Sequence, residues 1–297
     1  MTGYRDPAAF RAALTDRLRA KSRSTGRPLP ELQRLFAYDR VLQRLYALDD
    51  GWVLKGAAAL LARELTTRHT LDIDVYRGVS VLEAERDLRA ALAVDLGDWF
   101  VFDAAAARPI TAGVHGVRVP IVARIGTRDW SRFHVDLVGG QAGMTGVPDR
   151  VPALARINLA DVPQPDYRAW PLVDHIADKI AATLETHGEH ARPSTRTKDL
   201  VDLVVLAGSV SVEAAALRTA LDTQAQRRDL ELPARFTVPD PRYWAPRYAA
   251  DVRRMPEVAA RTLDDALELM AAFVDPVLQR RARGSWDPAS RRWAELR

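Results

Sequence analysis

The stretch Trp52-Val-Leu-Lys-Gly-Ala-Ala-Ala-Leu-Leu-Ala-Arg-Glu-Leu65, followed by Arg68-His-Thr-Leu-Asp-Ile-Asp-Val-Tyr76, decides the fold. A short apolar run ending at Lys55-Gly56 predicts a buried strand. An Ala/Leu-rich segment over 56–65 predicts a short helix, and 70–76 predicts a second strand. Residues two apart on a strand share a face. Asp72 and Asp74 therefore project together, while Leu71, Ile73 and Val75 point into the core. Two carboxylates on one face repel unless something positive lies between them. A hard divalent cation with oxygen ligands, Mg²⁺ above all, meets that need. The glycine turn at Gly56 lets a phosphate approach the backbone at a helix start. Phosphate beside two metal-binding carboxylates is the setting for phosphoryl or nucleotidyl transfer. The same spacing also suits a half-buried strand at a sheet edge carrying two solvated Asp residues.

Outward from this stretch, 6–23 and 31–48 read as helices with apolar residues at helical spacing, separated by Ser24-Thr-Gly-Arg-Pro-Leu-Pro30. Downstream, 80–95 predicts a helix and 100–102 a strand. Residues 117–125 and 132–138 predict a hairpin turning at Gly126-Thr-Arg-Asp129. A proline-containing passage over 148–171 holds a short strand near 157–159. Helices follow over 173–186, 198–206, 211–225 and 262–281. A charged loop over 187–196 and a Pro- and aromatic-rich loop over 238–246 interrupt them. This order predicts an α+β core with a mixed sheet over 1–165, then a mostly helical domain over 166–297.

With 297 residues, 47% of them hydrophobic, the chain can bury a sizeable core. It has no run of about 18 apolar residues, so no membrane span or membrane partner is expected. The absence of cysteine excludes disulfides, zinc–thiolate sites and thiol nucleophiles, and fits a cytoplasmic protein. The six histidines show no metal-ligand spacing. Net charge is only +4, yet the 43 Lys and Arg residues cluster. Arg17, Arg19, Lys21, Arg23 and Arg27 crowd the N-terminal region; Arg280, Arg281, Arg283, Arg291, Arg292 and Arg297 crowd the C-terminus. Such clusters track a phosphate backbone or form a solvated basic face.

Helix 198–206 is apolar nearly all round, so Asp199 and Asp202 on it should be buried. A buried, unpaired carboxylate costs several kcal/mol. At least one of the two must meet a cation, and Lys179 and Arg196 are the natural partners. A salt bridge joining two helices satisfies this as well as a functional site does.

Lys55-Gly-x-x-Ala-Leu, then Arg68-x-Thr-x-Asp-x-Asp-hydrophobe, resembles the AbiEii/AbiGii group of nucleotidyltransferase toxins, minimal members of the polymerase-β-like superfamily. Asp178-Lys179-Ile-Ala-Ala and Arg196-Thr-Lys-Asp199-Leu-Val-Asp202-Leu resemble the group's second pair of motifs, in the right order over roughly 50–210. The resemblance implies a polymerase-β-like core and transfer of an NMP unit from an NTP, with the 3′ end of tRNA or another RNA as acceptor. It implies Asp72, Asp74, Lys179 and Asp199 as catalytic residues, with Asp202 in place of Asp199 if the register differs. Asp72, Asp74 and, on a neighbouring strand, Asp136 would hold Mg²⁺ or Mn²⁺. Lys55, Gly56, Ala57, Arg68 and Thr70 would border the nucleotide, and Thr70 could itself receive a phosphoryl group. Where members commonly carry Gly-Gly or Gly-Ser, this chain has Gly56-Ala57, so phosphate contacts there fall to backbone N–H groups. A cognate antitoxin protein is implied as partner. Alternatives are a small-molecule or protein hydroxyl as acceptor, or a non-catalytic binding protein on a degenerate core.

Overall fold

The computed structural model describes residues 3–65, 70–110, 116–140, 143–159, 162–187, 192–255 and 258–294. The chain divides into two compact units. The first holds the described residues of 1–64, 69–142 and 148–169; the second holds those of 65–68, 143–147 and 170–297. Among the described residues no helix is long and apolar enough to cross a membrane.

In the first unit, helices α1 (Pro7–Thr25) and α2 (Leu29–Leu48) precede strand β1 (Trp52–Lys55), helix α3 (Gly56–Ala62) and strand β2 (Asp72–Arg77). Helix α4 (Val81–Leu92) and strands β3 (Phe100–Ala104), β4 (Arg108–Pro109), β5 (Gly116–Ile125), β6 (Arg128–Val138), β7 (Asp149–Val151) and β8 (Tyr167–Ala169) follow. The eight strands form one mixed sheet in the order β3-β5-β6-β2-β1-β8-β7, with β4 also paired to β5. Strand β2 runs parallel to β6 and antiparallel to β1, so the Asp72/Asp74 strand lies inside the sheet and not at its edge. Ile73 and Val75 are fully buried as their spacing predicts. Leu71 departs from the pattern: it precedes the first strand residue and is 68% exposed.

Helix α2 carries charges into the core of this unit. Arg44 grips Asp98 with two hydrogen bonds of 2.9 and 2.7 Å, both side chains buried. Asp39, with no exposed surface, accepts the Leu154 and Ala155 N–H groups at 2.8 Å each. Burial pushes the Asp39 carboxyl up to about 6, against the pull of those two N–H donors. A buried carboxylate is tolerated because it is hydrogen-bonded.

The second unit comprises α5 (Leu172–Leu184), the short pair β9 (Thr186–His187) and β10 (Arg192–Pro193), α6 (Thr197–Ser209), α7 (Ala214–Arg228), α8 (Pro241–Val252), α9 (Leu263–Phe273) and α10 (Asp275–Leu278). A hairpin of β11 (Ser285–Asp287) and β12 (Arg292–Ala294) closes it. Asp174, at the start of α5, is fully buried and accepts from Thr145 N, Thr145 Oγ1 (2.7 Å) and Gly146 N (2.9 Å). The Gln224 side chain of α7 reaches the Gly143 carbonyl at 3.4 Å.

Several boundaries differ from those the sequence predicts. The β5–β6 turn is two residues, Gly126-Thr127, with Ile125 paired to Arg128; Gly126 at φ 58° supplies the left-handed backbone the tight turn needs. No strand forms at 157–159; the sheet is extended instead by β7 and β8 on either side. The 238–246 segment is not all loop. Pro241 opens α8 at its first position, where a missing N–H costs nothing, and Asp240 caps Arg242 N at 3.0 Å. The predicted 262–281 helix breaks into α9 and α10 before Pro276. The predicted charged loop over 187–196 contains the β9–β10 pair, with 188–191 outside the described residues.

Candidate functional site

Four strands of the first unit bring four charged residues into one cross-strand row. Lys55 pairs with Asp74 across β1–β2, Asp74 with Asp136 across β2–β6, and Asp136 with Arg118 across β6–β5. Residues in register project to the same face. The row therefore reads cation, carboxylate, carboxylate, cation, and Asp72 lies two residues along β2 on that face. The opposite face is apolar: Leu54, Val75 and Leu137 are fully buried.

The two carboxylates of β2 are held by their neighbours. Gly56 has φ 61°, open to glycine at little cost. A Cβ there would come 1.8 Å from Asp74 Oδ2, so glycine is required by space as well as by backbone. Ala57 lies on α3, a single short helix of seven residues. Thr70, buried, donates from Oγ1 to Asp72 Oδ1 and to the Asp72 carbonyl, both at 2.9 Å. It thus fixes the Asp72 carboxylate. The Thr70 carbonyl accepts in turn from Arg34 Nε of α2 at 3.0 Å. Burial first, and then the charges of Asp72 and Asp74, hold the nearby Tyr38 hydroxyl protonated well above the usual phenol range, against the pull of Arg34. Arg68 lies outside the described residues.

Arg118 is the residue the sequence did not single out. Its Nε and Nη2 bind Asp136 Oδ1 and Oδ2 at 2.7 and 2.6 Å, and Nη2 lies 3.5 Å from Asp72 Oδ2. Hydrogen bonds to Asp136 first, then its charge and those of Asp72 and Asp74, hold the guanidinium firmly protonated. The only sequence signal was an Arg alternating with apolar residues on β5, which strand alternation alone would send to solvent.

Among the described residues no group of three or more Asp, Glu or His side chains is gathered closely enough to hold an ion. Asp136 has both oxygens on Arg118. Asp72 and Asp74 place two hard oxygen donors on one face. That set suits Mg²⁺, which is commonly held by one or two carboxylates and completed by waters and substrate phosphates.

The second unit holds the other nominated residues. Lys179 of α5 places its ammonium 2.7 Å from Asp199 Oδ1 and 2.7 Å from Asp202 Oδ2 of α6, all three side chains buried. Both carboxylates are engaged with the one ammonium. Arg196 Nε donates to the second oxygen of Asp199. Burial alone would push Lys179 down, but Asp199 and Asp202 outweigh it and raise its pKa. Burial alone would push Asp199 up, but Lys179 and Arg196 outweigh it and hold it below the usual carboxylate range.

Comparison with known proteins agrees with the motif order. Residues 40–288 match the family model described as "Nucleotidyl transferase AbiEii toxin, Type IV TA system". No curated protein sequence matches the chain. Among solved structures, the nucleotidyltransferase toxin MenT4 (Rv2826c) of Mycobacterium tuberculosis H37Rv is similar at 16% identity, over 89% of this chain and 87% of that one, with a TM-score of 0.48. JHP933 of Helicobacter pylori is similar at 17% identity, over 84% of this chain and 92% of that one, with a TM-score of 0.46.

Proposed function

This chain belongs to the AbiEii nucleotidyl transferase toxin family, and we propose that it transfers an NMP unit from an NTP to an RNA acceptor, the 3′ end of tRNA. In this reaction the acceptor hydroxyl attacks the α-phosphorus, the α–β bridging P–O bond breaks, and pyrophosphate leaves. Capping tRNA in this way would stop its charging and hence translation. A toxin of a toxin–antitoxin family also has an antitoxin partner. Its site of action is the cytoplasm, where NTP and tRNA meet.

The observation that carries the reading is the Lys55–Asp74–Asp136–Arg118 row with Asp72 beside it. Asp72 and Asp74 would hold a divalent cation, Mg²⁺ or Mn²⁺, with Asp136 as a further ligand where Arg118 releases it. When bound, the cation would supply Lewis-acid help at the attacking hydroxyl and positive charge at the leaving pyrophosphate. Thr70 orients Asp72. Gly56 and Ala57 present backbone N–H groups to phosphate, and Lys55 and Arg68 add positive charge at the triphosphate. Lys179, held by Asp199 and Asp202 within the second unit, is taken as a further catalytic residue on the motif resemblance.

The test is incubation of the full chain with total RNA and each α-labelled NTP, with and without Mg²⁺, followed by gel analysis. Metal-dependent label on a tRNA-sized band is the expected result. Label on protein alone, or on none with any NTP, would remove the RNA acceptor.

A further inference from the structure

Arginines near the C-terminus gather around one feature of the second unit. A cavity of about 470 Å³ is lined by Arg281, Arg283, Arg291 and Arg292, with Trp293 on its wall. Among the described residues, none of the four guanidinium groups is ion-paired with a carboxylate. Arg280, their neighbour in sequence, is different: it turns to Asp222 at 3.4 Å and does not line the cavity.

The surround is built and fixed. Trp286 is fully buried and donates its indole N–H to the Ala207 carbonyl at 2.7 Å. Trp293, paired with it across β11–β12, donates to the Phe273 carbonyl at 2.9 Å and stacks on that ring at 5.8 Å with planes 4° apart. Asp287 closes the hairpin turn on Ala289 N and Ser290 Oγ. Arg291, at φ 55°, and Arg292 leave this turn on a backbone held at both ends. Arg281 is steered by Gln279, and Arg283 by the Arg280 and Ala282 carbonyls.

We propose that this Arg-lined cavity is an anchoring site for the phosphate backbone of the RNA acceptor. The proposal rests on the RNA-acceptor reading above. Four like charges around one cavity repel, and an anion relieves that. The planar guanidinium fork matches phosphate oxygens in a two-point grip that an ammonium cannot make. Four such forks exceed what one small anion needs and suit a chain of phosphates. The indole at the wall adds a surface of the kind on which single-stranded bases stack.

The test uses the full chain, labelled tRNA and no NTP, with affinity measured across a salt series. Arg291→Gln/Arg292→Gln is the first variant, because among the described residues neither side chain supports the loop by a hydrogen bond. Its affinity should fall by about tenfold or more near 0.1 M salt. The slope of log K against log salt should become shallower by about 2, one phosphate contact per arginine. NTP binding, read by fluorescence, should be unchanged. Arg291→Lys/Arg292→Lys should recover most of the slope but only part of the affinity, since charge returns and the fork does not. Wild-type affinity and slope in the Gln variant, with wild-type protein binding tRNA, would overturn the cavity and leave the RNA acceptor standing. Failure of the wild-type protein to bind tRNA at low salt would remove both.

Discussion

Gly56 and Asp74 are packed so closely that the strand carboxylate occupies the space a side chain at position 56 would fill: a Cβ there would lie 1.8 Å from Oδ2. The Gly56→Ala protein must therefore displace the Asp74 carboxylate and hold an alanine at φ 61°. The backbone term costs about 1–2 kcal/mol. The displacement matters more, since a shift of about 1 Å at a reacting centre costs roughly a hundredfold in rate. Labelled-NTP turnover and a thermal melt on the same protein check this. Full turnover would mean that Asp74 does not act from its observed position.

Asp72→Asn and Asp74→Asn should each slow transfer by about 10²–10³-fold while leaving the melting temperature near that of wild type. Each change removes one of several neighbouring negative charges from a half-exposed face. Loss of one electrostatic element of a transfer site slows chemistry by about 10²–10³-fold. Growth arrest on expression without antitoxin should disappear in parallel. Turnover by Asp74→Asn within a few-fold of wild type in Mg²⁺ would sink the assignment.

Arg118 competes with any metal for Asp136 and Asp72. Arg118→Gln should therefore bind Mn²⁺ more tightly than wild type when no nucleotide is present, by about tenfold, the scale of one interaction of roughly 1.4 kcal/mol. Titration followed by electron paramagnetic resonance reads this without turnover. Unchanged Mn²⁺ affinity would show that the guanidinium does not stand in the ion's way.

Lys179 is a fold element as well as a candidate for the chemistry. Lys179→Met leaves Asp199 and Asp202 buried without the ammonium they share, while Arg196 still holds Asp199. Breaking a buried ion pair from one side costs about 3–5 kcal/mol. Chemical denaturation should show that loss, so relief of toxicity by this variant counts as catalytic only where folded protein is recovered. Double replacement, Lys179→Met with Asp202→Leu, should regain part of the stability and none of the activity.

Two buried carboxylates give opposite pH responses. Asp199, held below its unfolded value by Lys179 and Arg196, contributes stability that is present above about pH 4 and lost as pH falls through its folded pKa. Asp39, raised to about 6 by burial, contributes stability that is present below about pH 4 and lost as pH rises through 6. Across that interval the Asp39 contribution changes by about 3 kcal/mol. Urea unfolding of wild type and Asp39→Asn at pH 4 and pH 6.5 should show the variant gaining on wild type by that order. Parallel curves would show that Asp39 is ionised throughout.

What the sequence revealed was whatever depends on local period and spacing. Strand β1, ending at Lys55, and the shared face of Asp72 and Asp74 follow from alternation and a glycine. The pairing of Lys179 with acids on the next helix follows from the cost of burying Asp199 and Asp202. Arg118 was not legible, because its role comes from register: only the pairing of β5 with β6 sets it opposite Asp136. Leu71 misled because alternation was carried one residue past the point where the strand begins. The prolines at 241 and 246 misled in the other direction: Pro241 opens α8, where a proline reads like one in a loop, and Pro246 lies inside that helix. Among the C-terminal arginines, composition could count charges but could not tell Arg280, which faces Asp222, from Arg291 and Arg292, which line the cavity.

The Asp174 carboxylate sets a limit on how this protein can be divided. Its donors, Thr145 and Gly146, precede it by 29 and 28 residues, and between them the chain leaves to build β7 and β8. No single break separates the helical unit from the rest. A fragment beginning anywhere after Gly146 carries α5 with a buried carboxyl group stripped of its donors. The helical unit is thus not a portable cassette: neither a tag-and-truncate strategy nor gene fusion at one junction would transplant it. A split-protein reporter of this toxin would need its two pieces to overlap across 143–147 before they could reassemble.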